Sequence, residues 1–183
     1  MNRNELNTNV EGNNVKLKLV CKSDAKFISE IRTDERLGLN ISKTSSDVQD
    51  QEKWIDLYKK REKEHKEFYF VFEDLNHKAW GTVRIYDIDK DNFTIGSWIC
   101  LPGNDENIAI KAWLLCIEFG FEKLNIELSK FDIRKKNRTV LYFAYLFHPI
   151  LIREDELNFY FRLDKNTYYK NRKKVARLLK IEL

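Results

Sequence analysis

Apolar positions in this chain fall into short runs of strand character, separated by stretches in which they recur with helical spacing. Val15–Val20 reads as a strand. Ser23 can cap a helix running through Arg32, with Ile28 and Ile31 on one face. The stretch Thr33–Ser45, carrying Gly38, Asn40 and several hydroxyl residues, reads as a loop. Ser46 followed by Gln49 has the form of a capping box and opens a helix to about His65. That helix turns Val48, Ile55 and Tyr58 inward and a Lys/Glu face outward. Two β-rich runs, Glu67–Glu73 and Lys78–Asp87, flank the hairpin signal Asp74–Leu75–Asn76–His77.

The segment Asp91–Pro149 is the most informative. It reads as strand Asn92–Leu101, turn Pro102–Gly103–Asn104, helix Asp105–Leu124, strand Ile126–Arg134, a turn at Asn137 and helix Val140–Phe147. A strand that feeds a helix N-terminus through a tight turn builds an anion site, because free N–H groups and the helix dipole point at it. The repeat of that unit makes the two strands parallel neighbours joined by a crossover helix. Leu151–Leu163 then gives two short strands broken at Glu154–Asp155–Glu156, and 166–183 a last helix with Val175, Leu178 and Leu179 apolar among Lys and Arg. The expected fold is one α/β domain over 15–183, its mixed sheet mostly antiparallel, behind a polar, Asn-rich tail at 1–14 expected to be disordered.

Composition narrows the function classes. The 183 residues include twelve Phe, eight Tyr and four Trp, enough for a core without staples. Thirty-three basic against twenty-nine acidic residues leave +4, too balanced to argue for nucleic acid. The one basic cluster, Lys170–Lys180, reads as the wet face of a helix or as a contact for nucleic acid or an acidic partner. Cys21, Cys100 and Cys116 lack metal-ligand spacing and fit a reducing, cytoplasmic setting. No His/Cys/Asp cluster suggests a metal, and no Ser–His–Asp or Cys–His order suggests a nucleophile. No apolar run approaches the ~20 residues of a membrane span, and Met1–Asn14 has no signal-peptide core.

The element order over Val15–Asp164 resembles the GCN5-related N-acetyltransferase (GNAT) family. Where that family has a phosphate loop of the form Q/R-x-x-G-x-G/A, this chain has Asn104-x-x-Asn107-x-Ala109, with Gly103 ahead of it. Asn tolerates the left-handed backbone better than most residues, and Ala109 lets a helix approach its ligand. Asp105 and Glu106 are acidic residues suited to a helix start and would compete with a phosphate there. Tyr86–Asp89, Gly96–Ile99, Pro102–Gly103 and Phe131–Asn137 are similar to one branch of the family. Its loop contains Pro-Gly, and its members include N-acyltransferases of nucleotide-linked amino sugars acting in surface-polysaccharide synthesis. Likeness to the branch extends to Thr44–Ser45, Trp54–Ile55 and Phe119–Phe121.

The resemblance implies a splayed central strand pair whose free backbone groups bond the pantetheine of acetyl-CoA or another acyl-CoA. It implies cofactor contacts at Ile99, Leu101, Gly103, Asn104, Asn107, Ile108, Ala109, Asn137 and Phe143, with a backbone N–H around Ile99–Leu101 facing the developing oxyanion. Gly96 fits either a bulge that opens the splay or a plain packing glycine. Asn137 fits the family's turn asparagine and equally a helix N-cap. An acceptor amine would lie across the sheet under Thr33–Ser45. There the alternation of Lys78–Asp87 puts Trp80, Thr82, Arg84 and Tyr86 on one face, either toward substrate or toward water. Arg84, Tyr86, Asp87 and Arg134 are the substrate-side candidates.

Asp132 could hold or deprotonate the amine, or pair with Arg134 or Lys135. The family's usual acid, a Tyr seven positions after the turn Asn, falls on Ala144, which leaves Tyr145 as the nearest hydroxyl candidate. Tyr142, Phe143, Tyr145 and Phe147 also read as an aromatic core helix. The expected activity is transfer of an acetyl or related short acyl group to the amine of a nucleotide-linked amino sugar. Peptide or polyamine acetylation, or a weak CoA-binding module of the same fold, are the alternatives. Small-molecule substrates are the expected partners, without metal, nucleic acid or membrane, and a homodimer is compatible with this reading.

Overall fold

The computed structural model describes residue 8 and residues 10–104 and 107–182. Asp105 and Glu106 therefore lie outside the described residues, as does most of the expected tail. The order is β1 (Val10–Gly12), β2 (Val15–Leu19), α1 (Ala25–Thr33), α2 (Val48–Lys63), β3 (Phe68–Asp74), β4 (Ala79–Tyr86) and β5 (Asn92–Cys100). It continues with α3 (Ile108–Glu118), β6 (Leu128–Arg134), α4 (Arg138–Tyr145), β7 (Ile150–Glu154), β8 (Asn158–Asp164) and α5 (Lys165–Leu178). The strands form one eight-stranded sheet ordered β1-β2-β3-β4-β5-β6-β8-β7. Within it β5 and β6 are the parallel pair.

Sheet alternation divides the interior. Phe68, Phe70, Phe72, Val83 and Ile85 join the larger core, which takes in buried residues of α3, α4 and α5. Tyr69 and Val71 face the other way, into a smaller core with Ile28 of α1 and Ile55 and Tyr58 of α2. Strand β3 is buried along almost its whole length because each face carries a helical layer.

Several boundaries differ from expectation for local reasons. The sheet begins at Val10, because Val10, Glu11 and Gly12 pair with β2 around a turn in which Asn13 and Asn14 both have φ positive (54° and 64°). The expected tail 1–14 thus overlaps an ordered hairpin. Asp47, not Ser46, caps α2, its carboxylate accepting from the Gln49 N–H at 2.8 Å. Asp24 stands at the N-cap of α1 in place of Ser23. Helix α3 starts at Ile108 and passes at Phe119–Lys123 into a wide π turn closed by Leu124 N–H donating to Phe119 O.

Candidate functional site

Two bulges shape the centre of the sheet. Strands β5 and β6 pair only from Asn92↔Leu128 to Thr94↔Lys130, and beyond Thr94 they part. On its other side β5 pairs with β4 through a register shift, Thr82 facing Ile99 while Arg84 faces Gly96, so Ser97 and Trp98 together span one partner position. Ser97 takes φ +48°, the left-handed backbone such a bulge needs. The bulge lies beside Gly96. That glycine has its own reason to lack a side chain, since a Cβ there would stand 3.0 Å from the Tyr86 hydroxyl. A second shift, between Phe72 and Glu73 opposite Ala79, turns Trp80 to the larger core. Its indole N–H donates to Asp74 Oδ2 at 2.9 Å. Trp80 therefore does not share the face of Thr82, Arg84 and Tyr86.

Where the strands part, a cleft of about 420 Å³ opens, and its lining joins the two halves of the expected site. Ile99, Asn137 and Phe143 line it from the cofactor side, and Arg84, Tyr86 and Arg134 from the acceptor side, with Asp132 between them. Asn137 caps α4, its amide oxygen accepting from Val140 N–H at 3.3 Å, so the capping role is filled while the residue still borders the cleft. Phe143 is buried among Trp98 and Trp113.

One wall of the cleft is cationic. Arg36 from the loop after α1, Arg84 and Arg134 border the cleft, and Asp132 is the carboxylate among the described residues that line it. The Arg84 guanidinium lies 4.3 Å from the Tyr86 ring centroid and 3.2 Å from Glu67 Oε1, and Glu67 also holds Arg61. Burial pushes the Tyr86 hydroxyl up, the Asp132 charge adds to that, and Arg84 opposes it. Asp132 has solvent access, yet the cleft walls desolvate its carboxyl enough to push it above the usual range, against the pull of Arg134. Burial also pushes the Cys100 thiol, on the same wall, up to about 11.

The loop before α3 has the backbone expected of it. Gly103 sits at φ +84° and Asn107 at +55°, both left-handed. Their side-chain environments differ. Nothing lies near a Cβ built on Gly103, whereas Asn107 donates its amide to Leu179 O at 3.0 Å and anchors the loop to the end of α5. Asn104 turns back to donate to Leu101 O at 2.9 Å. Ala109 O accepts the Trp98 indole N–H at 3.0 Å, and Ile108 is buried. A hollow of about 360 Å³ beside this loop is bordered by Gly103, Asn104, Ile108 and Lys111. A parted strand pair with a helix start at its end suits a thioester carrying amides and phosphates.

Three site expectations need correction. Tyr145 is 50% exposed and packs edge-on against Phe161, while its neighbour Ala144 borders the cleft, because adjacent helical positions diverge by about 100°. Asp87 is exposed in the turn after β4, at φ +49°, away from the cleft lining. Leu101 N–H donates to Trp80 O at 2.7 Å, so that donor is already used. Arg36, which borders the cleft, and Gln51, which borders a neighbouring hollow, were not among the sequence candidates. Arg36 sits in an irregular loop without a periodic signal. Gln51 had one, since it falls three residues after Val48 and four before Ile55 on the inward face of α2.

Sequence and fold comparisons identify the class: residues 14–142 match the acetyltransferase (GNAT) domain, and the chain belongs to the GNAT family of N-acyltransferases. It is similar to FdhC, solved in its apo form and described as a nucleotide-linked sugar GNAT, at 35% identity and a TM-score of 0.83, covering 94% of this chain and 99% of that one. The ribosomal-protein-S5-alanine acetyltransferase of Vibrio fischeri shares the fold at 18% identity and a TM-score of 0.72, over 87% of this chain and 98% of that one. The Vibrio cholerae spermidine N-acetyltransferase, solved with CoA and spermine, does so at 14% and 0.70, over 86% and 99%. No curated protein sequence matches the chain.

Proposed function

We propose that this enzyme moves an acyl group from an acyl-CoA to the amine of a nucleotide-linked amino sugar. The observation that carries the reading is the charge of the acceptor wall, where Arg36, Arg84 and Arg134 face one carboxylate, Asp132. A polyamine acceptor needs the reverse, a cleft rich in acids, whereas a diphosphate linking sugar to nucleoside is held well by guanidinium groups. The likeness to a nucleotide-linked sugar GNAT at 35% identity supports the same class.

In this reading the parted strands β5 and β6 hold the donor, and the start of α3 faces its phosphates. The arginines fix the acceptor by its diphosphate. Asp132 holds the ammonium until it gives one proton to solvent; the neutral amine then attacks the thioester carbonyl, Asp132 takes the second proton from the nitrogen, and the C–S bond breaks with its electron pair leaving on the CoA sulfur. No activated nucleophile competes for the acyl group among the described cleft residues. The Cys100 thiol, pushed up to about 11, stays protonated at neutral pH, and no histidine borders the cleft. Direct transfer in a ternary complex follows from that inventory. Since α4 offers Ala144 to the cleft, the thiolate leaves without a hydroxyl donor from that helix, which a thiol of pKa ~8.5 tolerates.

The test is an acceptor panel at saturating acetyl-CoA: nucleotide-linked amino sugars, free hexosamines, an N-terminal alanine peptide and spermidine. The nucleotide-linked sugars are expected to lead in kcat/KM by about two decades. A lead for spermidine or the peptide would overturn the proposal.

A further inference from the structure

Beside Arg84 lies a second chamber of about 320 Å³ that shares Ser42, Arg84 and Ser97 with the lining of the cleft. Its other walls are Gln51 and Trp54 of α2, Tyr69 of β3, and Lys43 of the loop before α2. The polar groups around it are largely satisfied within the protein. Tyr69 donates to Thr82 Oγ1 at 3.3 Å, Thr82 donates to Ser97 O at 3.1 Å, and Arg32 donates to Ser42 O at 3.0 Å.

Arg84 Nε is buried without a hydrogen-bond partner, and Gln51 is a second unpartnered group. It is 6% exposed and lines the chamber, yet its side-chain amide makes no hydrogen bond with any described residue. It is also absent from the atoms sealed off without a partner, so the amide opens into the chamber rather than into packed protein. The amide is therefore free to meet water or a ligand, and a ligand that presents a donor beside an acceptor can pair with it. Lys43, on the same wall, has no ion pair or hydrogen bond with another described residue.

We infer that this chamber receives the nucleobase of the acceptor, with the Gln51 amide pairing to a base edge that carries a donor and an acceptor side by side. The glutamine amide has the matching geometry, its C=O and NH2 lying adjacent and coplanar. Trp54, stacked on Tyr58 and with the Arg84 guanidinium 5.7 Å from its ring centroid, borders the space for the base. Arg84, at the junction of the two spaces, and Lys43 then meet the diphosphate, and the amino sugar is carried forward to Asp132 in the main cleft. This rests on the nucleotide-sugar reading and adds to it the place where the nucleotide is recognised.

The experiment begins with the wild-type enzyme and free uridine, thymidine, cytidine, adenosine and guanosine diphosphates, titrated calorimetrically beside inorganic pyrophosphate. At least one nucleoside diphosphate is expected to bind about tenfold or more tighter than pyrophosphate, and to compete with the nucleotide-linked sugar but not with acetyl-CoA. Gln51→Leu is expected to raise KM for the nucleotide-linked sugar about 10- to 100-fold with kcat much less affected, and Gln51→Glu to change the order of base preference. If nucleotide-linked sugars are turned over but Gln51→Leu, shown folded by acetyl-CoA binding, keeps KM within about twofold, the chamber is not the base site and the proposed function still stands. If no nucleotide-linked sugar is turned over, both readings fall. Should Gln51→Leu not fold, equal wild-type binding of pyrophosphate and all five nucleoside diphosphates overturns the inference by itself.

Discussion

Tyr86 lies diagonally across the β4–β5 ladder from Gly96, so close that a Cβ on Gly96 would stand 3.0 Å from the Tyr86 hydroxyl and 3.1 Å from its ring. The glycine makes room for the ring over which Arg84 lies. Gly96→Ala is expected to displace Tyr86 by a few tenths of an ångström and disturb the acceptor wall while sparing the donor side. Steady-state kinetics should give an acceptor KM raised about 3- to 30-fold with KM for acetyl-CoA little moved. A loss confined to acetyl-CoA would refute that division of the site.

Arg84 joins the acceptor wall to the buried carboxylate of Glu67. Arg84→Ala is expected to raise acceptor KM at least about tenfold and to lower stability by about 1–3 kcal/mol, since Glu67 keeps Arg61 as a partner. Arg84→Lys keeps the charge but not the planar fork, and should recover stability better than acceptor binding. Denaturant melts and kinetics on the two variants separate these effects.

Asp132 must be ionised to hold an ammonium or accept its proton, and burial raises its carboxyl above the usual value. Activity is therefore expected to fall as pH drops through that raised pKa, and to level off near the pKa of the attacking amine. Asp132→Asn should cost about 10- to 1000-fold in kcat and remove the acidic limb of the profile. Tyr145→Phe should keep most of the activity, as Tyr145 packs on Phe161 outside the cleft. A dead Tyr145→Phe enzyme with normal acetyl-CoA binding would contradict the placement of α4.

Donor binding is measurable without turnover. A ligand at a hundred times its dissociation constant adds ~2.7 kcal/mol, which for a domain of this size raises Tm by roughly 5–10 °C. Acetyl-CoA and CoA are both expected to do so in a thermal-shift titration. An unmoved Tm at millimolar concentrations of each would remove the donor from the account.

Asp155, in the turn between β7 and β8, is held down to about 2 by the Tyr160 hydroxyl and by the N–H groups of Asn158 and Leu157. Its folded pKa lies below the ~3.9 of an unfolded Asp, so its stabilising share is complete above that value and fades as pH falls toward 2. The Tm difference between wild type and Asp155→Asn should therefore shrink from pH ~5 to pH ~2. A gap that widens on acidification would show that another group governs the turn.

Element order was legible in the sequence, because turn residues such as Gly103, Asn107 and Asn137 punctuate periodic segments, whereas the parting of β5 from β6 was expected only from the family resemblance. The bulges were not legible. Ser97 occupies a left-handed position that its residue type does not announce, and the shift at Ala79–Trp80 moves Trp80 across the sheet without breaking the apparent alternation. Competing caps were misordered because Asp47 and Ser46 are both good caps and tertiary packing chose between them. The cationic wall of the cleft was half legible. Arg84 and Arg134 lie on strands with fixed side-chain direction, whereas Arg36 reaches the cleft from a loop whose path only the folded chain determines.

The two faces of the sheet hold very unequal amounts of packed apolar matter, a broad core under α3, α4 and α5 and a thin one under α1 and α2. Local opening follows packing, so amides of α1 and α2 are expected to exchange with solvent well before those of α3. The thin layer is also the one that carries Arg36, Lys43, Gln51 and Trp54. Changes there disturb the smaller core, so on the proposed function the acceptor side can be refitted to a new substrate while the donor side keeps its frame.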